Sequence, residues 1–298
     1  MNKSPFVTYH VHTFNRLNGL KTMLESFYDC NQYENFEWII VDLGSTDGTQ
    51  DFLYKKYKNA KDMSVIFGNR NKYQEILKSK NLQPRTQRQG SVPIFGWAKN
   101  VARSLARGDY FIEIADDHKF IKKGDWASDM LDVFEHRKKQ NNGICDISSI
   151  IYRALPLWRI NKPNNARSPE QKTDSGVSYF LSSLKGYDDY HMIKKTTYNK
   201  IGPYLEVDSK MGTDRISSWR SGNSEFCQYT DYVDRCNKLK YQKAFLKIPF
   251  AIDCEYSSFS QSNKVIFTNN ELEKRFEFLD RPISTEEISN FQALTHNG

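Results

Sequence analysis

Little in this sequence points to a secreted, fibrous or membrane-spanning chain. Cysteine is scarce: the five in 298 residues are odd in number (Cys30, Cys145, Cys227, Cys236 and Cys254) and show no C-x-x-C spacing. A disulfide framework or a zinc site is therefore not expected, and reduced thiols in a cytoplasmic compartment are. Fifteen glycines and nine prolines are too few for a collagenous or low-complexity chain. No run approaches the ~18 apolar residues of a membrane span. The opening Met1-Asn2-Lys3-Ser4-Pro5 passes into a strand-like stretch without an apolar leader. A soluble protein is expected, with room left for a peripheral membrane contact.

What is present is enough for a substantial core. Hydrophobic residues make up 38% and aromatics 14% of the chain, which excludes disorder and allows one large domain or two small ones. Lys and Arg outnumber Asp and Glu by 43 to 36, a net charge of +7. The excess is local. Residues 69–107 hold nine basic side chains (Arg70, Lys72, Lys78, Lys80, Arg85, Arg88, Lys99, Arg103 and Arg107) against one acid, Glu75, a net +8 that leaves the remainder near −1. A nucleic-acid binder spreads its charge more widely, and no aromatic stacking pattern of an RNA-binding surface accompanies this one. No nucleic-acid partner is expected. The segment reads as a single demand for an anion.

Periodicity in the first half alternates strand and helix. Residues 6–12 read as a strand. Leu17, Leu20, Leu24 and Phe27 then share a helical face. The apolar run FEWIIV at 36–41 suits a strand buried on both faces, and it stops at Asp42. A Gly44-Ser45-Thr46-Asp47-Gly48 turn leads into a helix through about residue 57, with Thr46 or Asp47 as N-cap. A strand at 64–67, a helix at 95–106 with small residues on its packing side, and a strand at 109–115 follow. This alternation predicts an α/β fold with an open, mostly parallel sheet flanked by helices. Ligands of such sheets sit at the carboxyl ends of the strands, which here carry His12-Thr13, Asp42 and Asp116-Asp117. Beyond 120 the pattern predicts a helix at 126–137, a strand at 144–152, a polar loop at 161–178, a helix at 226–239, a strand at 243–248, and a short helical C-terminal appendage.

Taken alone, IIVDLGSTDGT at 39–49 reads either as an acceptor for a base or ribose or as an Asx-type turn capping a helix. With YHVHTFNR at 9–16 and GWAKNVARSLARGDYFIEIADDH at 96–118, it resembles the family 2 glycosyltransferases, enzymes of the Rossmann-like GT-A fold. Their members open with a Thr-Tyr-Asn-Arg-like strand end, a V-D-x-G-S-T-D-G-T strand end, and a helix–strand leading into a D-x-D motif. The resemblance covers about residues 5–250 and is strongest over the first 120. It implies a GT-A domain at 1–255, with a nucleotide-binding half at 1–120 and an acceptor half at 121–255, and an extension at 256–298.

The resemblance also implies roles. Thr13, Phe14, Asn15, Arg16 and Asp42 would hold the nucleoside of a nucleotide-diphosphate sugar, UDP-linked by default. In the family the D-x-D carboxylates hold a divalent metal on the donor diphosphate. Here the first Asp falls on Ala115 and the second on Asp117, which becomes the metal ligand, with Asp116 on the ribose or on the ion through water. His118 would be an additional ligand, favouring Mn²⁺ over Mg²⁺. Lys99 stands where the family often has Arg and would contact the diphosphate, the other basic residues forming a loop at 69–90. Inverting transfer needs a carboxylate to deprotonate the acceptor hydroxyl. The family's late Glu-Asp pair maps onto Thr230-Asp231, so Asp231 is the expected base, with Asp234 and Asp214 as alternatives. The acceptor would be a glycan, a lipid-linked or a protein hydroxyl. Two rivals stay open: a sugar-nucleotide nucleotidyltransferase, for which HTFNRLNG is a poor phosphate loop, and a non-catalytic binding protein, for which the departures at Ala115 and Thr230 speak.

Overall fold

The structure, a computed structural model, describes residues 4–68, 94–152, 154–155, 168–182, 191–204, 232 and 234–253. It runs β1 (Val7–Thr13), α1 (Leu17–Cys30), β2 (Phe36–Asp42), α2 (Thr49–Tyr57), β3 (Met63–Phe67), α3 (Ile94–Leu105), β4 (Tyr110–Glu113) and β5 (His118–Phe120). It continues through α4 (Trp126–Gln140), β6 (Ile147–Ile151), β7 (Ala154–Leu155), β8 (Gln171–Lys172), β9 (Ser178–Ser182), β10 (His191–Lys194), α5 (Lys195–Ile201), β11 (Gln242–Leu246) and β12 (Ala251–Asp253). These elements fall into two compact units. One draws on Met1–Asn15, Asn35–Ile114 and Ser183–Gln242, the other on Arg16–Glu34, Ala115–Ser182 and Lys243–Gly298.

The first unit holds the alternating elements in the strand order β3-β2-β1-β4-β10. β1 is parallel to β2 and β4, β2 is parallel to β3, and only β10 runs antiparallel, beside β4. The mostly parallel sheet expected from the alternation is thus present. Strands clothed by helices on both faces are buried throughout, and β2 and β1 are buried at nearly every position. On one face Ala98, Ala102 and Ala106, four residues apart, lie against Ile39, Val41, Phe111 and Ile193; short side chains at this spacing let helix α3 approach the sheet closely. Gly108 has a packing reason as well. A Cβ there would meet the Thr8 backbone nitrogen at 2.7 Å and the Phe6 carbonyl at 2.9 Å, so only glycine fits between α3 and β1.

The second unit is built around aromatic rings. Trp126 stacks between Phe120 and Phe250, with centroids 4.8 and 4.7 Å away, and Tyr152 stacks on Phe250 at 4.7 Å. Phe27 of α1 meets Phe120 edge-on at 5.5 Å. Helix α4 begins at Asp125, whose carboxylate accepts the Ser128 N–H at 3.0 Å, an acidic N-cap that answers one of the open amides of the first turn. β12 lies between β5 and β7, and β9 pairs antiparallel with both β11 and β8. The short strand β8 falls within the stretch expected to be loop. The C-terminal extension and the basic loop at 69–90 lie outside the described residues, as does most of the helix expected at 226–239.

Candidate active site

In the first unit, β1 and β2 end together: Thr13 stands in register with Asp42, and the Leu43 N–H donates to the Thr13 carbonyl at 2.9 Å. The loops that follow are tied to each other. Asn15, at φ 51°, donates its backbone N–H to Ser45 Oγ at 2.8 Å and accepts the Thr46 N–H at 2.7 Å on its side-chain oxygen. Asp42 shapes the turn from within. Its carboxylate is fully buried; Oδ2 accepts the Gly44 and Ser45 amides at 2.9 and 3.0 Å and the Gln50 side-chain amide at 2.5 Å. The left-handed Gly44 and Gly48, at φ 87° and 93°, close the loop as only glycine does without strain. What the turn presents outward is Thr46, Asp47 and Gly48. Thr13 is buried, and Phe14 packs on the core beside Ile66 and Trp97.

Lys99 is not where the resemblance implies. The expected diphosphate contact is 1% exposed, and its ammonium is ion-paired with Glu113 of β4 and lies over the Tyr204 ring at 5.1 Å. Arg103, one turn on, adds a second cation at 3.7 Å from Glu113 and reaches Tyr204 Oη at 3.3 Å while its guanidinium covers the Tyr198 ring at 4.2 Å. The reason is local geometry: residues four apart share a helix face, and this face looks at a strand carrying an acid among apolar residues. His10, also buried against this cluster, is pushed down to about 3 by burial, with the Lys99 and Arg103 charges adding to the effect. Asn100 braces the neighbouring turn, exchanging hydrogen bonds of 2.9 Å with both the N–H and the carbonyl of Tyr204 and accepting the Tyr198 hydroxyl at 2.9 Å. Tyr204 in turn stacks on Tyr232 at 4.5 Å. Asp231, the expected base, lies outside the described residues, as does Asp214.

In the second unit, Arg16, Asp116 and Asp117 come together. Arg16 Nη1 donates to Asp116 Oδ1 at 3.0 Å and to Asp117 Oδ2 at 2.5 Å. The Asp116 charge in the first place, with Asp117, holds the guanidinium well above its usual range. Arg16 is thus paired with these carboxylates. His118 follows directly on the two acids. It is fully buried, its Nδ1 lies 3.0 Å from the Tyr152 hydroxyl, and its ring meets Tyr152 edge-on, which ties it to the aromatic core through that nitrogen.

The carboxylates themselves fit a divalent ion. Asp117 Oδ1 is buried with no hydrogen-bond partner among the described residues, and the Arg16 guanidinium stands in for a cation at Oδ2. No group of three His, Cys, Asp or Glu side chains gathers among the described residues; Asp117 and Asp116 are the candidate ligands among them, and a divalent ion often takes only one or two protein carboxylates beside water and ligand oxygens. The backbone register sets Asp253 opposite His118.

Sequence reasoning missed Glu113, Arg103 and Gln50. An acid inside the buried run FIEIA was the available signal for the first, since a buried carboxylate calls for a cation nearby.

Residues 9–77 match the sequence profile of Glycosyl transferase family 2. No curated protein matches the chain by sequence. Among solved structures, S. aureus TarS 1–349 in complex with UDP-GlcNAc is similar with a TM-score of 0.50 at 13% identity, over 96% of this chain and 70% of that one. TarS 1–349 in complex with UDP gives 0.49 at 13% identity over 83% and 59%. Mannosyltransferase PcManGT from Pyrobaculum calidifontis, in complex with GDP-Man and Mn²⁺, gives 0.46 at 13% identity over 83% and 58%. The chain spans 58–59% of the length of these last two. At such identities the likeness is one of fold. The first quarter of the chain is thus similar to Glycosyl transferase family 2, and it lies on the mostly parallel, helix-flanked sheet of the GT-A fold.

Proposed function

We propose that the chain transfers a sugar from a nucleotide-diphosphate donor, UDP-linked by default, to a glycan, lipid-linked or protein hydroxyl, with inversion at the anomeric carbon. The observation that carries this reading is the family match across 9–77, whose central motif forms the turn braced by Asn15 and Asp42. In the first unit, Thr13, Phe14, Asn15 and the outward edge of the Asp42 turn would hold the nucleoside. In the second, Asp117, with Asp116, would hold Mn²⁺ or Mg²⁺, which when bound supplies charge neutralisation for a departing diphosphate. Asp231 would take the acceptor proton. Lys99 has no donor role in this reading, because its charge is already answered by Glu113. No helix among the described residues is long and apolar enough to cross a membrane.

The test is calorimetry and thermal shift with a panel of sugar nucleotides, each with and without Mn²⁺, followed by transfer of a radiolabelled sugar. Binding by one nucleotide class and loss of turnover by at least about a hundredfold in Asp231→Asn, with donor affinity kept, is the expected outcome. A folded Asp231→Asn variant of normal rate would remove Asp231 as the base. Absence of any nucleotide response would remove the function.

A further inference from the structure

Asp116 and Asp117 place two negative charges on adjacent residues, and one nitrogen answers both. Arg16 Nη1 makes both contacts, at 3.0 and 2.5 Å, a shared single-atom arrangement instead of the parallel two-bond fork by which a guanidinium grips one carboxylate best. Asp117 Oδ1 is a buried oxygen with no hydrogen-bond partner among the described residues. The backbone of Arg16 is fixed independently of these contacts. Arg16 is the residue before helix α1, its carbonyl accepts the Leu20 N–H at 2.9 Å, and its side chain keeps 18% exposure. Its flexible stem therefore leaves the guanidinium a solvent-facing side to move toward while the helix start stays in place.

We infer that Arg16 is a built-in competitor for the divalent ion: it occupies one oxygen of each acid, Asp116 Oδ1 and Asp117 Oδ2, and the ion takes both carboxylates only as the guanidinium leaves. Two cations cannot share Asp117 Oδ2 at contact distance without strong mutual repulsion, so ion affinity is set by Arg16 as much as by the acids. This rests on the reading of the acidic turn as the metal-bearing motif. It makes Arg16 a positioning residue whose effect is visible in ion binding, before any donor is present.

The experiment is titration of the full chain with Mn²⁺ in the absence of nucleotide, following the free ion by electron paramagnetic resonance, with circular dichroism to confirm folding. Arg16→Gln is expected to bind Mn²⁺ about tenfold or more tightly than the wild type. Adding Asp117→Asn should abolish the gain. Arg16→Lys, which keeps the charge on a flexible stem, should stay near the wild-type affinity and serves if the glutamine variant fails to fold; a tenfold gain in that variant would count against competition by charge. Equal Mn²⁺ affinity in wild type and Arg16→Gln, or a gain that survives Asp117→Asn, would overturn the inference. Because no nucleotide enters the titration, a chain that binds no sugar nucleotide yet shows this Mn²⁺ response loses only the proposed function, and the reverse result loses only the competition.

Discussion

Two ion clusters of this protein are made of the same chemistry in opposite proportions. In the first unit two cations, Lys99 and Arg103, face one anion, Glu113, all with side chains at most 3% exposed. In the second unit one cation, Arg16, faces two anions, and their side chains keep 11–18% exposure. The sealed cluster disposes of its surplus positive charge internally, over tyrosine faces. The edge cluster retains an acidic oxygen, Asp117 Oδ1, without a hydrogen-bond partner among the described residues. A buried ion pair with its surroundings completed is architecture, while a charge imbalance at the surface is an invitation to a ligand.

That contrast can be broken by mutation. Glu113→Gln should have the largest effect, because it strands two cations in the interior; the expected loss is about 3–5 kcal/mol in urea unfolding. A loss below about 1 kcal/mol would mean that the interior tolerates the charges and that the cluster is not structural. Next in size is a pH effect confined to the sealed cluster. His10 is held neutral down to about 3, whereas in the unfolded chain it takes up a proton near pH 6.5. Between those values the unfolded state binds the extra proton, so stability is full above pH 6.5 and falls as pH drops toward 3. From pH 7 to pH 5 the loss should approach about 2 kcal/mol. His10→Leu should flatten that slope, and an unchanged slope would place the titration elsewhere. The smallest stability effect belongs to the edge cluster. Arg16→Gln removes an attraction but also leaves its two acids near water, so a change of about 1 kcal/mol or less is expected in the same assay.

The two clusters were also unequally visible in the sequence. The sheet, the turn at 42–48 and the adjacency of Asp116 and Asp117 follow from local pattern: apolar runs, glycines at the turn, acids at a strand end. Lys99 was misplaced because periodicity along a helix says which residues share a face and not what that face meets. Its partner Glu113 lies in another element, and only the pairing of the two explains either. The burial of His118 has a related cause. In Asp117-His118-Lys119-Phe120 the alternation of a strand has already begun, and it turns His118 and Phe120 inward together. The period, more than the motif, sets where that ring lies. Arg16 was drawn to the right neighbourhood by its motif, but its two acid partners are 100 and 101 residues away, beyond what any local pattern records.

The three hydrogen bonds of Asn100 bear on how the chain comes together. They join residues 98 and 104 positions apart, and β4 gains its antiparallel neighbour β10 only with Met192 and Ile193. A nascent chain that has reached residue 113 can pair β1, β2, β3 and β4, yet Lys99, Arg103 and Glu113 must wait for the tyrosines that cover them. The entropy of closing so long a loop grows only slowly with its length, but the wait is imposed by synthesis. During it, one flank of the sheet offers an unpaired strand and a half-covered charge cluster, the kind of surface that chaperones hold and that aggregation exploits. Fragments ending before β10 would keep that surface permanently, and those ending before residue 204 would keep the charge cluster half-covered, so the useful boundary for dissecting this protein lies beyond the turn that Asn100 clamps.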